Sequence, residues 1–168
     1  ESSYKGQMRS RFLMGEWASY EGLVYPVFNE TIHVMSHHSI ENYYKQLQLT
    51  TTGITYLEGY DYGLAVPYCY LLGFSDPHGN VFLMDGQYEK ESPLDDHIAD
   101  IKRIRNEYSV VESNMILADP DIFRRKAAGG KLVGKAISDM FMEENIVCRR
   151  GNNDISNGIV KINQYLIP

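Results

Sequence analysis

At 168 residues, with 43% hydrophobic and 23% charged residues, the chain has the composition of one globular domain built on a single core. A net charge of −6 argues against a surface coated for nucleic acid. With no apolar run of about 18 residues and no charged, apolar, small-residue leader, neither a membrane span nor a secretory signal is expected. The absence of an initiator Met at Glu1 suggests an excised domain. Cys69 and Cys148 sit in apolar stretches with nothing in the sequence to pair them, which is the pattern of reduced core thiols in a cytoplasmic protein. His33, His37, His38, His78 and His97 show no metal-ligand spacing.

In chain order, residues 1 to 17 read as a short helix carrying Met8, Phe12 and Leu13. The Gly- and Pro-punctuated passage Glu21 to Phe28 reads as a loop, Thr31 to Met35 as a short edge strand, and the polar residues 36 to 50 as a surface connector. From Gly53 the pattern becomes regular, with strands at about 53 to 62, 67 to 74 and 80 to 88. The link Asp76-Pro77-His78-Gly79 is strong turn chemistry and makes the three an antiparallel meander. Ser92-Pro93-Leu94-Asp95 supplies an N-cap, a Pro at the first helical position and an acid in the first turn. The helix that follows shows Ile98, Ile101, Ile104 and Tyr108 on one side, with Lys102, Arg103 and Arg105 on the wet side.

Val110 to Ala118 reads as a fourth strand. Weak helical signals follow Pro120, a clearer helix runs through Val133, Ile137, Met140 and Phe141, Asn145 to Arg149 is a short fifth strand, and Asn153 or Asp154 caps a last helix with Ile155, Ile159, Ile162 and Leu166. The order β-β-β-α-β-α-β-α, with right-handed crossovers, predicts a mixed five-stranded α/β sheet with helices on its faces and strand 1 beside strand 4.

That adjacency singles out two acids. Asp61 ends the run Tyr56 to Gly63 between Gly59 and Gly63, and Asp119 ends Met115 to Ala118 before Pro120. A carboxylate on a half-buried strand needs a partner or a metal to offset desolvation, and two such strand ends side by side make a metal site. Asp85, Asp121 and Asp154 are further candidate ligands. Each has a structural reading of its own: a turn with Gly86 for Asp85, the wrong side of Pro120 for Asp121, and an N-cap for Asp154. Between residues 124 and 150 seven basic residues face three acids, and Arg124, Arg125, Lys126, Lys131 and Lys135 are candidate DNA contacts. Gly129 to Lys135 fits the P-loop spacing, but Ala136 stands where a hydroxyl would bind Mg2+ and no buried strand precedes it.

The element order, with one acid on the first strand and another ending the fourth, is that of RNase H-like nucleases. More closely, the chain resembles the nuclease domain of the large terminase subunit of tailed bacteriophages. The resemblance is carried by Arg11-Phe12-Leu13-Met14-Gly15-Glu16-Trp17, the segment Glu21 to Phe28, His33-Val34, Gly59-Tyr60-Asp61-Tyr62-Gly63 with Pro67, Ala118-Asp119-Pro120, and Asn152-Asn153-Asp154 with Asn157-Gly158-Ile159.

It implies a domain that cuts concatemeric double-stranded viral DNA for packaging, with an ATPase domain preceding Glu1 in the same full-length chain. The small terminase subunit and the portal are the further partners, and the setting is the host cytoplasm and transiently the procapsid. Residues 1–50 would then lead from the ATPase domain into a nuclease domain at 51–168. By position, Asp61 would be shared between two Mg2+ or Mn2+ ions roughly 3.5 to 4 Å apart, and Asp119 would be the second ligand. The family's third ligand lies beyond the helix after Asn-Asn-Asp, so the resemblance implies either a domain truncated at Pro168 or a third ligand from elsewhere. The missing ligand keeps a non-catalytic DNA-binding or docking module as an alternative. A nucleotide-binding domain, through the P-loop spacing or through Asp61-x-Gly63, is the second; Leu64-Ala65-Val66 lacks the hydroxyl that the latter motif needs.

Overall fold

The computed structural model describes residues 23–50, 53–111, 114–128 and 131–167. The predicted helix at 1 to 17, and the motif residues before Leu23, lie outside them. The chain divides into two compact units, Ser36–Asn153 and a second containing the described residues up to Met35 with those from Asp154 onward.

The larger unit is built on a five-stranded sheet. Strands β1 (Thr55–Asp61), β2 (Tyr68–Ser75) and β3 (Val81–Glu89) form the meander, and β4 (Ile116–Ala118) and β7 (Cys148–Arg150) extend it in the order β3-β2-β1-β4-β7. β4 runs parallel to β1, and β7 parallel to β4. The β2–β3 turn is fixed by Asp76, whose carboxylate accepts from the His78 and Asn80 backbone N–H groups, the Asn80 amide and the Tyr43 hydroxyl. Burial acts to raise the Asp76 pKa, but these donors favour the charged form and hold it below the usual carboxylate range.

Strand alternation gives the sheet two different faces. Glu58 and Tyr60 of β1, with Tyr68, Tyr70, Leu72 and Phe74 of β2, point to one face and are buried. Helix α3 (Leu94–Glu107) covers that face with Ile98, Ile101 and Ile104, spaced at i, i+3 and i+6. Truncating a fully buried Ile such as Ile101 to Ala costs about 2–5 kcal/mol. The opposite face carries Leu57, Leu71, Leu83 and Leu117, all exposed. At the β2–β3 bulge the strands approach so closely that a Cβ on Gly73 would lie 2.4 Å from the Phe82 carbonyl oxygen.

Several elements differ from the sequence expectation. Thr31 to Met35 was expected as a strand, but Glu30–His33 is a short helix, α1, because the Asn29 side chain accepts the Thr31 N–H and caps it. The polar connector is helix α2 (His37–Thr50), held by Ile40, Tyr43, Tyr44 and Leu47 against the core. Four apolar positions in a polar stretch give a weak stripe, but Tyr44 is buried and its hydroxyl donates to the Tyr108 carbonyl.

At α3, Pro93 occupies the N-cap position rather than Ser92, whose hydroxyl is buried without a partner while its carbonyl pairs with the His97 ring. Arg105 is buried, not on the wet side. The fourth strand is only three residues, and the fifth begins at Cys148, because Val110 and Ile146 enter the core from turns. The basic segment forms a 3-10 turn at Pro120–Phe123, then a hairpin of β5 (Lys126–Ala128) and β6 (Lys131–Val133), then helix α4 (Ile137–Glu143).

In the smaller unit, helix α5 (Ile155–Tyr165) is capped by Asp154, whose carboxylate accepts the Asn157 N–H. His33 pairs with the Leu166 carbonyl at 2.9 Å, and the Asn163 amide donates to the Val24 carbonyl at 3.0 Å. Among the described residues no helix is long and apolar enough to cross a membrane.

Candidate functional site

Asp61 and Asp119 are brought together by the parallel pairing of β1 with β4. Tyr60 stands opposite Ala118, and the Asp119 N–H continues the ladder by donating to the Tyr60 carbonyl at 3.1 Å. The two acids therefore occupy the next rung, at the C-terminal tips of neighbouring strands. Tyr60 and Ala118 turn into the core, so Asp61 issues on the open face. Gly59, two residues earlier on that face, has nothing within 4 Å of where its Cβ would stand. Gly63 does the opposite: a Cβ there would lie 2.3 Å from the Val66 carbonyl oxygen, so it is the tight turn after Asp61 that requires Gly.

The pair is electrostatically unfavourable as it stands. Crowding at the strand tip partly desolvates Asp61, and the Asp119 carboxylate adds like-charge repulsion; together they raise the Asp61 pKa against the Tyr62 backbone N–H, which favours the charged form. Asp119 is oriented from both sides. Its Oδ1 accepts the Asp121 N–H at 2.6 Å and its Oδ2 the Asn153 amide at 3.4 Å. Asn153 is delivered there by Gly151, whose N–H donates to the Ala118 carbonyl at 2.8 Å.

The other sequence candidates have roles or partners of their own. Asp85 pairs across the sheet with Leu72, and Leu72 with Glu58, which places it two strands from β1 and on the helix-covered face. Its carboxylate accepts the Gly86 N–H. Asp121 is exposed and bridges to Arg124 at 3.0 Å. Asp154 caps α5 in the smaller unit. No group of three or more His, Cys, Asp or Glu suited to a metal ion occurs among the described residues.

Among the basic candidates, Arg124 pairs with Asp121, Arg125 with Asp139 and Lys135 with Glu143. Lys126 and Lys131 lie on the hairpin strands, and the stretch with P-loop spacing runs through β6 rather than a strand-loop-helix junction.

One supporting group escaped the sequence reading. The Glu58 carboxylate, buried behind the site, accepts from Arg105 Nε and Nη2 at 2.8 and 3.0 Å, from the Tyr70 hydroxyl at 2.6 Å and from the Asn114 amide. It ties β1 to β2, to α3 and to the residue leading into β4, and so sets how the two acid-bearing tips meet. An acid in the middle of an apolar strand was the available signal.

No protein-family model matches the chain, and no curated protein sequence does. Solved structures do. The large terminase of a thermophilic bacteriophage, in one crystal form and in another bound to ADP, matches with a TM-score of 0.63 at 17% identity over 97% of this chain. The nuclease domain of the P22 large terminase matches with a TM-score of 0.52 at 12% identity over 68% of it. This chain spans 36% of the thermophilic phage protein and 58% of the P22 domain. At such identities the likeness is one of fold: a mixed five-stranded sheet flanked by helices, shared with these large terminase structures.

Proposed function

We propose that this chain is the metal-dependent endonuclease domain of a viral DNA-packaging terminase, hydrolysing phosphodiesters of concatemeric double-stranded DNA. The observation that carries the reading is the meeting of Asp61 and Asp119 on adjoining strand tips, with Asp61 destabilised in its charged form. Carboxylates are retained in mutual repulsion where a cation is to be shared, and two hard oxygen donors suit Mg2+ or Mn2+. Two carboxylates on adjoining strand tips are a donor set of the kind such an ion takes, and Asp61 and Asp119 would hold it. When bound, a divalent ion supplies an activated water and charge stabilisation at the phosphate.

The chain's own residues do the positioning. Asp119 is held by the Asp121 N–H and by Asn153, Asp61 is fixed by its strand, and Gly59 leaves the face beside it open to a DNA backbone. In this reading the ATPase domain belongs to the same full-length polypeptide, the small subunit and portal are its partners, and the host cytoplasm is its setting. A second ion needs ligands beyond the two acids, and no group of three or more His, Cys, Asp or Glu suited to a metal ion occurs among the described residues.

That observation favours a second reading, a DNA-binding or docking module with the same fold. Supercoiled plasmid with Mg2+ or Mn2+ separates the two. A nuclease nicks it, and Asp61→Ala and Asp119→Ala each reduce nicking at least about 10²-fold, the scale on which losing one preorganised electrostatic group acts. A module only retards the plasmid, and absence of nicking by the wild-type chain in both metals removes the enzymatic reading.

A further inference from the structure

Three of the basic residues that the sequence offers as DNA contacts already have acidic partners. Arg124, Arg125 and Lys135 are engaged by Asp121, Asp139 and Glu143. Lys45, Lys102, Arg103 and Arg105 are paired with acids as well. An ion-paired cation presents a largely cancelled charge to a phosphate, and exchanging its partner yields little net attraction.

Strand β7 is different. Arg149 and Arg150 are exposed, form no ion pair among the described residues, and lie on the strand that adjoins β4. Register separates their roles. Arg150 pairs with Ala118, and its guanidinium lies 5.1 Å from the centre of the Phe123 ring. Arg149 pairs with Leu117, which pairs in turn with Gly59, so the row Gly59, Leu117, Arg149 crosses the open face two rungs before Asp61. Of the lysines whose side chains are described, Lys90 and Lys161 also lack an ion pair: Lys90 follows β3, on the far side of β2 from β1, and Lys161 in the smaller unit lies over Tyr165.

We infer that Arg149 is a phosphate-binding residue of the candidate site. It would receive the DNA backbone on the open face, across the exposed Leu117 and the side-chain-free position of Gly59, while the paired arginines after Pro120 contribute little. The inference rests on the nuclease reading and adds to it the side from which the duplex arrives: over the β4–β7 edge rather than over the 3-10 turn. Arg suits the task because its fork can take two phosphate oxygens at once.

The test is the salt dependence of duplex DNA binding by the 168-residue chain in Ca2+, read by fluorescence anisotropy for wild type, Arg149→Gln, Arg149→Lys and the double variant Arg124→Gln/Arg125→Gln. Each lost phosphate contact lowers the slope of log K against log salt by about 0.9. Arg149→Gln is expected to lower the slope by about that amount and to weaken binding at low salt, with an unchanged thermal midpoint. Arg149→Lys is expected to retain the slope, and the double variant to bind as wild type does. An unchanged slope for Arg149→Gln, or a slope lost in the double variant instead, overturns the inference while leaving plasmid nicking, and with it the nuclease reading, standing. A wild-type chain that neither binds duplex DNA nor nicks plasmid overturns both.

Discussion

Strand β1 carries two carboxylates three residues apart, and their surroundings are opposite. Glu58 points under α3 into a complete set of donors from Arg105, Tyr70 and Asn114. Asp61 points to the open face and meets another acid. A buried charge with every lone pair answered is a structural device, whereas an accessible charge left in repulsion weakens the fold in order to do something else. The same division runs through the sheet: one face is closed by α3 and α2 over tyrosines with satisfied hydroxyls, and the other leaves leucines and Arg149 exposed beside a half-buried Gly59.

The sharpest way to break this contrast is on the closed side. Arg105→Ala leaves the Glu58 charge buried and unpaired, so urea denaturation is expected to show a loss of about 3–5 kcal/mol. The double change Arg105→Met with Glu58→Gln recovers part of it. A loss under about 1 kcal/mol for Arg105→Ala would mean the network is solvated and the contrast between the two acids is not real.

His97 offers the next largest effect. Its ring is stacked on Tyr68 at 3.6 Å and bonded to Tyr60 and the Ser92 carbonyl, and burial lowers its pKa although the Ser92 carbonyl and nearby acids oppose the shift. With the folded pKa depressed, the unfolded chain binds the proton first as pH falls below about 6.5, so the stability from neutral His97 is present above that value and lost through the folded pKa. The denaturation midpoint is expected to fall between about pH 7.5 and about pH 5, and His97→Gln to flatten that dependence.

Asp154→Ala is a smaller probe, removing a cap worth about 1 kcal/mol. If Asp154 serves α5 alone, the thermal shift on adding Mn2+ stays as in wild type; loss of that shift would make it a ligand.

The smallest effect on stability has the opposite sign. Asp61→Asn removes the raised-pKa acid, whose charged form costs the folded state stability as pH rises through the unfolded carboxylate range. In EDTA at neutral pH this variant is expected to melt slightly above wild type, and on the proposed metal reading to lack the upward shift expected of the wild-type chain on adding Mn2+. A lower midpoint in EDTA would show that Asp61 is structural, as Glu58 is.

Much of this was legible in the residues. The meander, the Asp76 turn, the helix after Pro93 and the parallel return of β4 follow from alternation, turn chemistry and the handedness of crossovers, which are local rules. Those rules are enough to put Asp61 beside Asp119. They were not enough for Thr31 to Met35, where one capping side chain outweighed β-propensity, or for residues 36 to 50, where four apolar contacts held a polar helix to the core.

The identity of each charge's partner was decided only by the folded chain. Sequence spacing put Arg105 with Lys102 and Arg103 and gathered Arg124, Arg125 and Lys135 into a basic region. Tertiary contacts buried the first against Glu58 and paired Arg125 with Asp139 and Lys135 with Glu143, while Arg124 found Asp121 within its own turn. Periodicity tells which face of its own element a side chain occupies. What lies opposite that face is set by segments distant along the chain, and for a charged group that opposite partner fixes whether it holds the fold together or remains available to a substrate.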